Sequence, residues 1–160
     1  MAIRVSSSRS SHRVVLVADD DAFSQNLVSL LEESGCQVEL AVSARMAGSL
    51  LERHHNALVI LDLNAQQMHA VEFALSLRKR GMRVPTLAIS SMPNLAQHCA
   101  ALRVEHFLAQ PFRFSRLVEL TAMLSRESRS ARVERSGVFL RAQVADLIES
   151  LPEQEALSFG

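Results

Sequence analysis

Short apolar runs alternate with segments of helical periodicity over most of this chain. Apolar residues recur at helical spacing between the runs, Ser43 has the chemistry of a helix N-cap, and Gly35 and Gly81 are typical helix stops. Strand and helix alternate five times with short loops, which predicts an α/β fold with a parallel sheet covered by helices on both faces. The predicted strands are residues 14–18, 37–42, 57–63, 84–89 and 105–109, and the helices after the third, fourth and fifth strands are predicted at 70–80, 94–102 and 114–125.

The third run, residues 57–63, is the most apolar, and it contains a single acid, Asp62. A run of this kind is typical of a strand buried on both faces of a parallel sheet. An ionised carboxylate is costly inside such a strand, but it can lie at the carboxyl end, where open α/β sheets bind their ligands. Asp62 is therefore the first candidate for a functional residue.

Polar residues also follow three of the other predicted strands, the first, fourth and fifth, and are expected at the same rim of the sheet. Because clustered carboxylates repel one another, they favour a bound cation, and oxygen ligands of this kind suit Mg²⁺. A carboxylate beside that ion can act as a nucleophile toward phosphorus and form an acyl phosphate, which a nearby hydroxyl can hydrogen-bond. The residues concerned are Asp19, Asp20, Asp21, Ser90, Ser91 and Gln110.

Four stretches with matching spacing, residues 14–21, 60–63, 85–91 and 107–112, make the chain resemble a response-regulator receiver domain of two-component signalling. The resemblance extends over residues 12–126. It implies a flavodoxin-like, doubly wound, five-stranded parallel sheet of order 2-1-3-4-5.

The resemblance also implies a role for each residue at the predicted carboxyl edge. Asp62 corresponds to the phosphoacceptor, and Ser90 and Phe107 correspond to the hydroxyl and aromatic switch residues. The Mg²⁺ ligands are expected to be Asp19, Asp20, Asp62 and the backbone carbonyl of Asn64. Asp21 falls where the family often has a solvated acid.

Three positions depart from the family pattern. Gln110 stands where the family has a lysine that contacts the phosphoryl group, Gln66 replaces a proline, and His69-Ala70 replaces an Asp-Gly turn. Losing one charge-assisted hydrogen bond costs about 1.5–3 kcal/mol, or roughly 10- to 150-fold in rate. We therefore expect phosphorylation to be impaired but chemically feasible.

Composition limits the remaining alternatives. The 160 residues carry no formal net charge and 48% of them are hydrophobic, which predicts one globular domain with no preference for a polyanion. We expect no membrane span, two reduced cysteines (Cys36 and Cys99) and a cytoplasmic location. The predicted organisation is a flexible N-terminus at 1–12, a receiver domain at 13–126, and a C-terminal helical extension at 127–160.

That extension contains one amphipathic helix, marked by Leu140, Val144, Leu147, Ile148 and Leu151, whose apolar face could pack on the domain, a second copy or another protein. The extension is too short for a DNA-binding unit, so we expect no nucleic-acid partner. A homodimer could form through this helix or through the face made by helix four, strand five and helix five.

The leading hypothesis is a single-domain receiver that accepts a phosphoryl group on Asp62 from a histidine kinase or phosphotransfer protein. It then signals to an unknown downstream protein by protein–protein interaction. The alternative is a pseudo-receiver that binds its partner without phosphorylation. An enzyme, such as an aspartyl phosphatase, is not expected, because the single lysine, Lys79, ends the third helix at the opposite rim.

Overall fold

The computed structural model describes residues 12–54, 57–64 and 69–133, with the backbone alone for 69 and 128–133. Within these ranges, five parallel strands form one sheet of order β2-β1-β3-β4-β5, and five helices connect or follow them. This confirms the predicted α/β, flavodoxin-like fold and its strand order. The elements are β1 (Arg13–Val17), α1 (Ala22–Glu33), β2 (Gln37–Ala41), α2 (Ala44–Arg53), β3 (Leu58–Asp62), α3 (His69–Lys79), β4 (Thr86–Ser90), α4 (Leu95–Leu102), β5 (His106–Ala109) and α5 (Phe114–Val133).

The central strand β3 is buried along its whole length, and its side chains alternate between two hydrophobic cores. On one face Val59 and Leu61 pack with residues of α2, α3 and α4, including Phe73. On the other, Leu58 and Ile60 pack with residues of α1 and α5. This two-residue alternation lets one strand support helices on both sides of the sheet.

Local sequence signals account for several helix ends. The Ser43 hydroxyl accepts a hydrogen bond from the Met46 amide at 3.0 Å and caps α2, as predicted. Gly35 and Gly81, which follow α1 and α3, have positive φ angles of 101° and 66°. That left-handed conformation is open to glycine without steric cost, so both predicted stops are confirmed.

The last helix is longer than the sequence pattern predicted. The helix was expected to end near residue 125, but α5 continues to Val133, because no proline or glycine interrupts residues 126–133. The predicted N-terminal segment up to residue 11, Gln66 and the amphipathic helix around 140–151 lie outside the described residues.

No helix in the described ranges is both long enough and apolar enough to cross a membrane. The two cysteines are buried and free, one in each core. Burial raises the pKa of both thiols, which disfavours the reactive thiolate.

Candidate functional site

Four strands end at one edge of the sheet and bring polar side chains together there. Asp62 is the last residue of β3 and pairs in register with Ile89, so it lies one level below Ser90, the last residue of β4. Gln110 follows β5, and its backbone N–H donates to the carbonyl of Ser90 at 2.8 Å. Asp19 lies two residues beyond β1. The sequence prediction of a shared polar edge therefore agrees with the strand topology.

Asp62 is only 3% exposed. Its Oδ1 accepts a hydrogen bond from the backbone N–H of Asn64 at 2.9 Å, which fixes the orientation of the carboxyl. Burial raises the pKa of Asp62, and the negative charges of Asp21 and Asp19 raise it further, although the Asn64 hydrogen bond opposes the shift. The ionised form is thus disfavoured until a positive charge approaches.

The three consecutive acids after β1 have different surroundings. Asp21 is the N-cap of α1, and its Oδ1 accepts from the Ser24 amide at 2.8 Å. Asp20 is exposed, and its carboxylate accepts from Nε2 of Gln25 at 2.6 Å. Asp19 is half-buried. Of the predicted pair of metal ligands, Asp19 acts electrostatically on Asp62, whereas Asp20 is engaged by Gln25.

In the part of the chain that the structure describes, no three acidic, histidine or cysteine side chains form a ready cage for a metal. A protein Mg²⁺ site needs only one or two carboxylates, because the ion keeps several water ligands. The oxygen donors present fit such a site, and a cation would offset the repulsion that raises the pKa of Asp62. The bond from Gln25 occupies Oδ1 of Asp20, so Oδ2 is the oxygen that Asp20 would offer to a cation.

The side chain of Asn64 is a central member of the site that the sequence analysis missed. Its Oδ1 accepts from the Ser90 hydroxyl at 2.8 Å and from the Ser91 backbone N–H at 3.1 Å. Its Nδ2 donates to Oε1 of Gln110 at 2.5 Å. These partners lie 26 to 46 residues away, and no local sequence signal indicates them.

The two predicted switch residues differ in exposure. Ser90 is fully buried, whereas Phe107 is 40% exposed and turned toward α4. There it lines a surface pocket of about 520 Å³ with residues of α4 and of the segment that leads into β5, including Arg103 and Glu105.

Comparison with known proteins decides the family. The profile of the response regulator receiver domain matches residues 14–122. The chain belongs to this family. Receiver domains act in two-component signalling, generally without enzymatic activity of their own, and phosphoaspartate and Mg²⁺ are standard features of them.

The curated relatives of this receiver domain are longer proteins. It is similar to the transcriptional regulatory protein BasR of Escherichia coli, 27% identical over 125 residues, which cover 76% of this chain and 56% of BasR. TctD of Salmonella typhimurium is 29% identical over 119 residues, covering 72% of this chain and 53% of TctD. The chain thus spans about half the length of the curated relatives it matches.

Solved structures share the fold. The Vibrio cholerae chemotaxis protein CheY4 superposes with a TM-score of 0.62 at 22% identity, covering 71% of this chain and 98% of that one. The receiver domain of the sensor histidine kinase PA1611 from Pseudomonas aeruginosa has a TM-score of 0.58 at 18% identity, covering 72% and 98%. That structure holds a magnesium ion in its active-site cleft.

Proposed function

We propose that this receiver domain accepts a phosphoryl group on Asp62 from a histidine kinase or phosphotransfer protein. The supporting observation is the buried Asp62 carboxyl at the end of β3, whose pKa is raised by burial and by two neighbouring acids. Such a group gains from a nearby cation, which would also offset the negative charge of the acyl phosphate. The proposed Mg²⁺ ligands are Asp19, Asp20, Asp62 and the backbone carbonyl of Asn64.

The hydrogen bond to Asn64 supports different roles for the two oxygens of the Asp62 carboxyl. Because the Asn64 N–H holds Oδ1, Oδ2 is the oxygen directed at phosphorus. It forms the new O–P bond while the P–N bond of a phosphohistidine donor breaks and its imidazole leaves with the electron pair. Mg²⁺, when bound, supplies neutralisation of the phosphoryl charge.

The output is proposed to be a protein–protein contact on the face formed by α4, β5 and α5, with no catalytic turnover. Phe107 lines a pocket on that face, and Ser90 lies behind it at the end of β4. A hydrogen bond from Ser90 to the phosphoryl group would change this surface through β4 and β5. Signalling as a single domain in the cytoplasm is part of the proposal, and the homodimer stays a prediction.

Intact-mass measurement with a small phosphodonor tests the proposal directly. With acetyl phosphate and Mg²⁺, we expect the full chain to gain one phosphoryl group, and Asp62→Asn to gain none. The matched control is Asp20→Asn, which keeps a nucleophile at 62 and should slow the reaction without abolishing it. If the wild-type mass stays unchanged with acetyl phosphate and with a histidine-phosphate donor, Asp62 is not a phosphoacceptor.

The second candidate function, a phosphorylation-independent interaction module, is favoured by the contacts of Gln110. A neutral amide occupies the position of the family's lysine, and its oxygen is already bonded to Asn64. The charge that would steady a transferring phosphoryl group is therefore missing from this position.

Gln110→Lys separates the two functions. If phosphorylation is the function, the new charge should raise the rate by roughly 10- to 150-fold, since a charge-assisted bond replaces a neutral one. The control is Gln37→Lys, an exposed substitution at the start of β2, which should leave the rate unchanged. If Gln110→Lys does not raise the rate of phosphorylation, and if phosphodonor leaves partner binding unaltered, the interaction module is favoured.

A further inference from the structure

The hydrogen bonds around Asn64 fix the orientation of its side-chain amide. The backbone N–H of Ser91 can only donate, so the atom of Asn64 that faces it must be the oxygen. The nitrogen then faces Gln110, which must present its own oxygen in return. The assignment of all four amide atoms thus follows from a single backbone donor.

The Ser90 hydroxyl is fully engaged in this arrangement. Its one proton is donated to Oδ1 of Asn64 at 2.8 Å, and its oxygen accepts from the Met92 amide at 3.0 Å. A serine hydroxyl has a single proton, so Ser90 cannot donate to Asn64 and to a phosphoryl oxygen at the same time.

We propose that the Asn64 side chain is a positioning latch, which holds Ser90 and Gln110 in the unphosphorylated arrangement and must release Ser90 before the switch can engage. This inference rests on the proposed phosphorylation of Asp62. Releasing Ser90 costs the net free energy of the hydrogen bonds that Asn64 loses. This cost is small, because Ser90 exchanges one acceptor for another.

Gln110 is part of the same latch. The bond from Nδ2 of Asn64 needs an acceptor at position 110, and glutamine provides one, whereas a lysine ammonium has donors only. The replacement of lysine therefore does more than remove a charge, since it gives Asn64 a second anchor 46 residues away. Asn64 itself is exposed and lies two residues after Asp62 in the chain, where the arriving phosphoryl group would meet it.

The test uses beryllofluoride with Mg²⁺, a phosphoryl mimic, on the full chain and on Asn64→Ala. This variant keeps the backbone N–H that orients Asp62 and removes both side-chain anchors. We expect it to bind beryllofluoride about two- to tenfold more tightly, the equivalent of one ordinary hydrogen bond. The Ser91 amide should also exchange its proton faster in Asn64→Ala without any ligand, because its acceptor is gone.

Two further variants make the result specific to Ser90. Gln37→Ala, an exposed substitution at the start of β2, removes no contact of Asn64 and should bind as the wild type does. In a Ser90→Ala background, Asn64→Ala should give no gain in affinity for beryllofluoride. Alanine has no hydroxyl proton, so there is nothing for Asn64 to release.

The outcomes distinguish the latch from the proposed function. Equal binding by wild type and Asn64→Ala, an unchanged Ser91 exchange rate, or the same gain in the Ser90→Ala background overturns the latch alone. If neither wild type nor Asn64→Ala binds beryllofluoride, both the proposed function and the latch fail. If Asn64→Ala binds beryllofluoride at lower concentrations than the wild type does, both the proposed function and the latch are supported.

Discussion

Asp62 combines burial with two neighbouring negative charges, and this combination has a thermodynamic consequence. Its pKa in the folded protein is raised by burial first and by Asp21 and Asp19 second. When the folded-state pKa lies above the unfolded one, the native state binds more protons, so stability falls as the pH rises between the two values. Above its folded-state pKa, Asp62 is ionised, and the protein then carries the full cost of that buried charge.

Asp62→Asn should relieve this cost. We expect the variant to be more stable at pH 7 by on the order of 1 kcal/mol, with the Asn64 N–H still bonded to a side-chain oxygen. The gain should shrink as the pH falls toward the ordinary pKa of an aspartate, about 3.9, where Asp62 is protonated in both states. Urea unfolding at several pH values measures it.

Asp20→Asn is the matched control for that experiment. Asp20 is exposed, and an asparagine oxygen can still accept from Gln25, so the change in stability should be small. A pH-independent gain in Asp62→Asn, or the same gain in both variants, would contradict the account given for Asp62.

Individual residues also mark the limit of what the sequence could reveal about the site. Asp62 was predictable because an acid at the end of an apolar run has few structural explanations. The side-chain contacts of Asn64 and the bond between Asp20 and Gln25 were not, because amides and acids bond to many partners and only the packed geometry selects one. The sequence therefore indicates which edge of the sheet carries the site, but it does not reveal the hydrogen bonds between the side chains there.

The helix α4 shows how element ends depart from sequence rules. Ser43 and Gly81 follow the usual preferences for helix starts and stops, and both were predicted. The residues flanking α4, Asn94 and Arg103, have φ angles of 61° and 55°, and Asn94 makes no side-chain capping bond. Asparagine tolerates this left-handed conformation, but arginine adopts it at a cost of roughly 1 kcal/mol.

Arg103→Gly should therefore stabilise the protein by about 0.5–1 kcal/mol, since glycine enters the left-handed region freely. Thermal or urea unfolding provides the measurement. Arg103→Ala serves as the control, because it removes the same side chain and keeps the unfavourable φ. Equal stabilities for the glycine and alanine variants would show that the backbone at residue 103 is not strained.

At the scale of the whole molecule, the two hydrophobic cores account for the stability of the domain. Both lie between Val14 and Leu124, one on each face of the sheet. The fold class was predictable because strand and helix patterns alternate cleanly, whereas the length of α5 was not, since a polar, arginine-rich segment has no apolar face to show where a helix ends.

A chain cut after Val133 should keep the cooperative unfolding of the full protein. The described sheet, helices and cores are all retained in it, so we expect the midpoint of thermal unfolding to change by only a few degrees. Differential scanning calorimetry on the two proteins compares them. A loss of cooperativity would mean that residues 134–160 contribute to the core of the domain.

The length of α5 sets the distance between the two ends of this helix. Twenty helical residues extend about 30 Å, whereas a five-residue strand of the sheet extends about 17 Å. The helix begins shortly after β5, near the edge of the sheet that holds Asp62, and its last residue, Val133, lies about 30 Å along the helix axis from its start. Over that distance water and salt screen a charge at Asp62, so we expect any effect of it on Val133 to require a displacement of the helix itself.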